Sequence, residues 1–167
     1  MMPLPVAIAR LCEHPEALPE LQRLLEAEWP EYYGPSGPGD ARADLLAFSS
    51  ATRLPIGFVA FVEGGPCGLA VLKAEPLPAV PHLAPWASAG LVAPGCRRRG
   101  IGARLLAALE QQAREMGFDA IHSATNTANA LLEREGWQFL ERVPHDGVAL
   151  SVYRKALRRA PTADGAT

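Results

Sequence analysis

The sequence predicts an α/β (α+β) fold in which short strands alternate with amphipathic helices, and three observations carry that prediction. Ile56–Glu63 and Cys67–Ala74 are β-rich runs joined by Gly64-Gly65-Pro66, a strong hairpin signal. Leu18, Leu21, Leu24, Leu25 and Trp29 recur at helical spacing. Leu91–Glu110 runs from an apolar segment through Pro94 and a basic, glycine-containing loop straight into a leucine-rich helix.

Each element follows in order. Val6–Leu11 reads as a short apolar strand, and His14-Pro15-Glu16 opens the first helix. Pro30 ends that helix, because proline has no amide hydrogen to donate. Tyr32–Gly39, rich in glycine and proline, reads as a loop. Asp40 is placed to cap a second helix reaching about Ser50. Glu75–Pro85, beyond the hairpin, holds four prolines in eleven residues and predicts an irregular connection. Trp86–Val92 is the next strand and Arg98–Met116 the long helix, with Ile101, Leu105, Leu109 and Met116 on its apolar side and Gly117 as its stop. Asp119–Ala124 is a strand, Asn126–Glu135 a helix stopped by Gly136, and Trp137–Val143 with Val148–Lys155 a closing pair of strands. A disordered tail is expected from Arg158 onward, leaving one domain over residues 1–157.

Composition narrows the function classes. The chain has 167 residues, enough for one substantial core, and its net charge of −2 gives no general pull toward nucleic acid or a membrane surface. The arginine triplet Arg97–Arg99 therefore needs a local explanation, and no aromatic interleaving accompanies it as a nucleic-acid face would require. Three scattered cysteines, Cys12, Cys67 and Cys96, indicate neither a disulfide framework nor a metal site. A reducing cytoplasm is expected, with no signal peptide and no membrane span.

The chemistry concentrates at Arg97–Ala103. A helix begins with amides that have no intrahelical partner, and its dipole adds about half a positive charge there. Gly100 and Gly102 let a ligand approach the backbone, and three arginines surround it with charge. A diphosphate suits such a cradle best. A dinucleotide fold would want G-x-G-x-x-G, yet Leu105 follows Gly100-x-Gly102; an NTPase loop would want Gly-Lys-Ser/Thr, which is absent.

Arg97-x-x-Gly100-x-Gly102, three residues after Val92-x-Pro94, resembles the acetyl-CoA pyrophosphate loop of the GNAT N-acetyltransferase superfamily. The predicted order β-α-α-β-β-β-α-β-α-β-β is similar to that fold over nearly the whole chain. Ala128-x-x-Leu131-Leu132-x-x-x-Gly136-Trp137 resembles the family's Ala-x-x-Leu-Tyr-x-x-x-Gly-Phe/Trp segment, and Pro85-Trp86 with Gly90-Leu91-Val92 the central strand of small bacterial members.

The resemblance implies a central, mostly antiparallel sheet splayed at the cofactor, and an acetyl-CoA-dependent N-acetyltransferase acting on a primary amine. It assigns the pantetheine arm to the backbone of Leu91 and Val92. The pyrophosphate falls to Arg97, Arg98, Arg99, Gly100, Ile101, Gly102 and Ala103. A further pantetheine contact goes to Asn126 or Asn129, although the family's usual asparagine falls nearer Thr125; Asn126 reads equally well as a helix cap. The usual tyrosine acid is replaced by Leu132, and the central strand carries no glutamate base. His145 and Glu31 are the candidate catalytic residues; the structural reading of His145 is an ordinary turn histidine, and His122 reads as a packed strand residue. Trp29, Glu31, Tyr32 and Tyr33 put aromatic faces beside a carboxylate, which suits an amine, while Trp29 and one tyrosine would equally close the first helix. Cys96 reads as a small apolar filler. The expected partner is a small-molecule amine, with no nucleic acid or membrane, and the closing strands are compatible with a homodimer. A protein or peptide acceptor and a non-catalytic acyl-CoA sensor are the alternatives.

Overall fold

The computed structural model describes residues 5–75 and 77–157, so the expected tail from Arg158 lies outside the described residues. The strands are β1 (Val6–Arg10), β2 (Ile56–Val62), β3 (Gly65–Lys73), β4 (Trp86–Val92), β5 (Ala120–Thr125), β6 (Gln138–His145) and β7 (Val148–Ala156). The helices are α1 (Leu18–Glu28), α2 (Pro30–Tyr33), α3 (Ala41–Ala47), α4 (Ile101–Glu115) and α5 (Asn129–Arg134). One seven-stranded sheet runs in the order β1-β2-β3-β4-β5-β7-β6. Its neighbours are antiparallel except β4 and β5, which are parallel.

Strand alternation sends successive side chains to opposite faces, and β2 is apolar on both. Phe58 and Ala60 join a core with Ile101, Leu105 and Leu109 of α4 and Leu132 of α5. Val59 faces the other way, toward Leu21 and Leu25 of α1 and Leu45 of α3. Helices therefore cover both faces of the sheet. Polar ties fix α4 to its surroundings: Arg10 donates to Gln112 at 2.7 Å, and the Lys155 ammonium meets the buried Glu110 carboxylate and the Glu135 carbonyl, both at 2.8 Å. Among the described residues no helix is long and apolar enough to cross a membrane.

Four boundaries differ from the sequence expectation, each for a local reason. Trp29 leaves the helical region (φ −126°, ψ 66°), but Pro30 then starts α2, where its missing amide costs nothing, so Tyr32 and Tyr33 lie on a helical turn. Pro66 lies inside β3, because Val62 pairs with Gly65 and the turn is Glu63-Gly64. The long helix begins at Ile101 rather than Arg98, since Arg98 and Gly100 have φ of +66° and +75°. The last helix begins at Asn129 rather than Asn126. Thr125 Oγ1 accepts from the amides of Thr127 (3.1 Å) and Ala128 (2.9 Å), which holds residues 126–128 in a turn. Asp40 does cap α3, accepting from the Ala43 amide at 3.0 Å.

Candidate active site

The sheet opens between β4 and β5. These strands share one register pair, Trp86 with His122, supported by the His122 amide donating to the Pro85 carbonyl (3.0 Å) and the Ser123 hydroxyl to the Ala87 carbonyl (3.1 Å). Past that point β4 keeps only its β3 neighbour. Its register slips opposite Ala70, and Ala89 takes φ +52°, the signature of a bulge. The Ala93 amide donates to the Cys67 carbonyl at 2.7 Å, on the β3 side. Alternation then turns the amide and carbonyl of Val92 toward the opening, and those of Leu91 toward β3. Of the two predicted backbone contacts on this strand, Val92 is the one facing the gap.

The loop after β4 ends at Gly100, whose left-handed conformation leads into α4. Gly102 has a different reason to be glycine: a Cβ there would stand 3.1 Å from Leu131 Cδ2, so its small size lets α5 approach the first turn of α4. The first intrahelical bond runs from the Arg104 amide to the Gly100 carbonyl, 3.1 Å. The amides of Ile101, Gly102 and Ala103 thus precede the ladder, and no side chain caps this end. Arg98 and Arg99 are exposed beside it. These donors and charges fit the diphosphate of acetyl-CoA.

Arg97 is committed elsewhere. Its Nε donates to the Val92 carbonyl at 3.0 Å, and its terminal nitrogen pairs with Glu28 of α1 at 2.9 Å. The side chain ties α1 to the end of β4 instead of reaching forward. Arg97→Ala should therefore weaken acetyl-CoA binding by less than about fivefold, since a half-exposed pair is worth at most ~1 kcal/mol; calorimetric titration checks this.

A cleft of about 650 Å³ lies on the α1–α3 side of the sheet, lined by Trp29, Tyr32, Tyr33, Asp44, Lys73, Ala89, His145 and Asp146. It brings together Trp29, Tyr32, Tyr33 and His145 of the predicted residues. Glu31 is exposed and is not among the residues lining this cleft. The Tyr33 hydroxyl donates to Asp44 Oδ2 at 2.7 Å, and burial together with that carboxylate pushes the phenol far above its ordinary range. Tyr32 packs edge-on against Tyr33, ring centres 4.7 Å apart. His145 ends β6 ahead of the Asp146-Gly147 turn, its Nε2 3.4 Å from the Asp146 carboxylate. Lys73, last in β3, holds its ammonium 4.9 Å from the Phe48 ring centre.

Other predicted residues are engaged in structure. Leu132 is buried in the core facing α4. Asn129 donates to the Tyr153 hydroxyl at 3.2 Å, which in turn donates to Glu133 at 3.3 Å. Asn126 is exposed, and the cap reading for it gives way to Thr125. His122 is buried, its Nδ1 3.2 Å from the Pro85 carbonyl, and burial lowers its pKa so that the ring is neutral near pH 7. Cys67 and Cys96 are close neighbours although far apart in sequence; burial first, then Cys96, pushes the Cys67 thiol up to about 11.

Comparison with solved structures sets this fold among acetyltransferases. An aminoglycoside 6'-N-acetyltransferase complexed with coenzyme A superposes with a TM-score of 0.75 at 16% identity, over 93% of this chain and 99% of that one. The aminoglycoside 6'-N-acetyltransferase from Enterococcus faecium gives 0.74 at 16%, with the same coverage. Ard1 from Thermoplasma volcanium gives 0.70 at 16%, over 92% and 99%. No curated protein matches the sequence. The acetyltransferase (GNAT) family model matches residues 18–137. The chain belongs to that family, whose members are acetyl-CoA-dependent acetyltransferases.

Proposed function

We propose that this protein transfers an acetyl group to a primary amine of a small molecule, by direct attack within a ternary complex. The observation that carries the reading is the meeting of the aromatic cleft with the open margin of β4 at Ala89, so that an acceptor and a donor lying along β4 share one point. The proposal includes a single catalytic domain over residues 1–157 and a cytoplasmic setting.

Acetyl-CoA, when bound, supplies an activated thioester. The amide of Val92, whose carbonyl already accepts from Arg97, would pair with its pantetheine arm, and the amides of residues 101–103 with Arg98 and Arg99 would hold its phosphates. The faces of Tyr32 and Tyr33, with the Asp44 carboxylate, receive the acceptor's ammonium. His145 is the cleft's imidazole and accepts the proton that frees the amine for attack. In balance, the new C–N bond would replace the C–S bond; of the two protons the ammonium nitrogen loses, one would pass through His145 to solvent and the other would end on the released thiol. With Leu132 buried, no side chain at that position protonates the thiolate, a leaving group stable enough near neutral pH to depart unaided.

The test is thiol release from acetyl-CoA against amines, polyamines, amino acids and short peptides, with acetyl-CoA binding followed by calorimetry. Turnover with small amines supports the proposal. Tight binding with no amine-stimulated release favours the sensor reading, and turnover confined to peptides favours the protein acceptor. Within the active case, Tyr33→Phe should raise the amine KM about tenfold, since the phenol's bond to a charged group is lost, while acetyl-CoA affinity stays unchanged. Equal losses for both substrates would point to misfolding.

A further inference from the structure

The acceptor cleft carries charges of both signs, and they are not equally available. Asp44 already accepts from Tyr33, which orients its carboxylate and leaves further lone pairs for a donor. Asp146 is exposed at the rim and sits beside His145. Lys73 is half-buried, and among the described residues no carboxylate forms an ion pair with it; its ammonium lies over the face of Phe48. A half-buried ammonium held over a ring has lost part of its hydration, and an anion arriving in the cleft would restore it. A polycationic acceptor would instead set a second positive charge beside Lys73, at a cost of the same kind.

Resting on the proposed acetyltransferase activity, we propose that the acceptor is an amine that also bears an acidic group, of the amino-carboxylate class, with Lys73 binding the anion and Asp44 the ammonium. The division of labour follows from position. Lys73 lies at the end of β3 beside Trp86 of β4, whereas Asp44 and Tyr33 come from the helices on the same side of the sheet. A zwitterion spanning the two has each charge met by its opposite, and its orientation is thereby set. One amine of a molecule with several would be presented to Ala89 and His145.

The experiment measures thiol release and equilibrium binding to the coenzyme A complex for L-alanine and L-glutamate. Each is compared with its α-amide, and spermidine serves as the polycation. The wild-type protein should prefer the free acids at least tenfold in kcat/KM, or in affinity where turnover is slow. Lys73→Met keeps an unbranched side chain while removing the ammonium over Phe48, and should raise KM for the acids tenfold or more with little change in kcat. It should also abolish the preference over the amides; Lys73→Arg should restore much of it. Preference for the amides or spermidine overturns the inference, as does a discrimination unchanged in Lys73→Met or no binding by any acid in the panel. Failure of acetyl-CoA to bind is a separate result, and it would remove the proposed activity itself.

Discussion

Replacing Gly100 and Gly102 together with valine should weaken acetyl-CoA binding by a hundredfold or more while the far-ultraviolet circular dichroism spectrum stays that of the wild type. Two separable effects add. Gly100 has φ +75°, a region that costs a β-branched residue about 1–3 kcal/mol, so the loop relaxes away and binding must restore it. At Gly102 a Cβ meets Leu131 Cδ2 at 3.1 Å, so a valine there crowds α5 and displaces the first turn of α4 that carries the amides. Each effect is worth about tenfold, since about 1.4 kcal/mol is a decade of affinity. Gly100 is exposed, with nothing within 4 Å of its missing Cβ, so the core is untouched there. Calorimetry on the folded variant decides the matter. Unchanged affinity would remove the anion-binding assignment of this loop, and Gly102→Ala alone reads the part due to Leu131.

Leu132→Ala should cost about 2–5 kcal/mol of stability, lowering Tm by roughly 5–15 °C. The residue is 2% exposed and packs with Ile101, Leu105 and Trp137, so truncation leaves a cavity beneath the first turns of α4. Its place in the motif is where the family resemblance implies a tyrosine acid, and a packing role and a catalytic role separate cleanly. A packing residue lowers Tm and leaves turnover per folded molecule nearly unchanged; thermal unfolding beside thiol-release rates at 15 °C distinguishes them. A normal Tm with a large loss of kcat would mean the side chain touches the reaction.

The order of elements was legible because it rests on local physics. Gly117 and Gly136 each take φ +87° just past a helix, and Asp40 caps with its own carboxylate, so composition and backbone agree at each point. The loop between β4 and α4 was legible for the same reason, since Pro94, Arg97, Gly100 and Gly102 fall in one short stretch of sequence. The cleft was half legible. Trp29, Tyr32 and Tyr33 advertise themselves as an aromatic cluster, but Asp44 and Lys73 come from separate elements and carry no motif. Their proximity follows from packing α3 against β3, which no spacing rule encodes. The direction of Arg97 was equally hidden, because its partner Glu28 is 69 residues away. Cys67 and Cys96 looked scattered for a similar reason: β3 and the end of β4 meet through sheet pairing alone.

The opening between β4 and β5 also bears on the protein's behaviour in a crowded solution. A strand with unpaired amides and carbonyls is a template for another chain, and sheets normally protect such margins at their outer edges. Here the strand margin at Val92, whose carbonyl is already engaged by Arg97, lies inside the sheet and faces β5, which is itself bound along its length to β7. Another protein could add a strand there only by displacing β5, β7 and β6 as a unit. The molecule thus keeps a main-chain surface open to a slender ligand while denying it to β-aggregation.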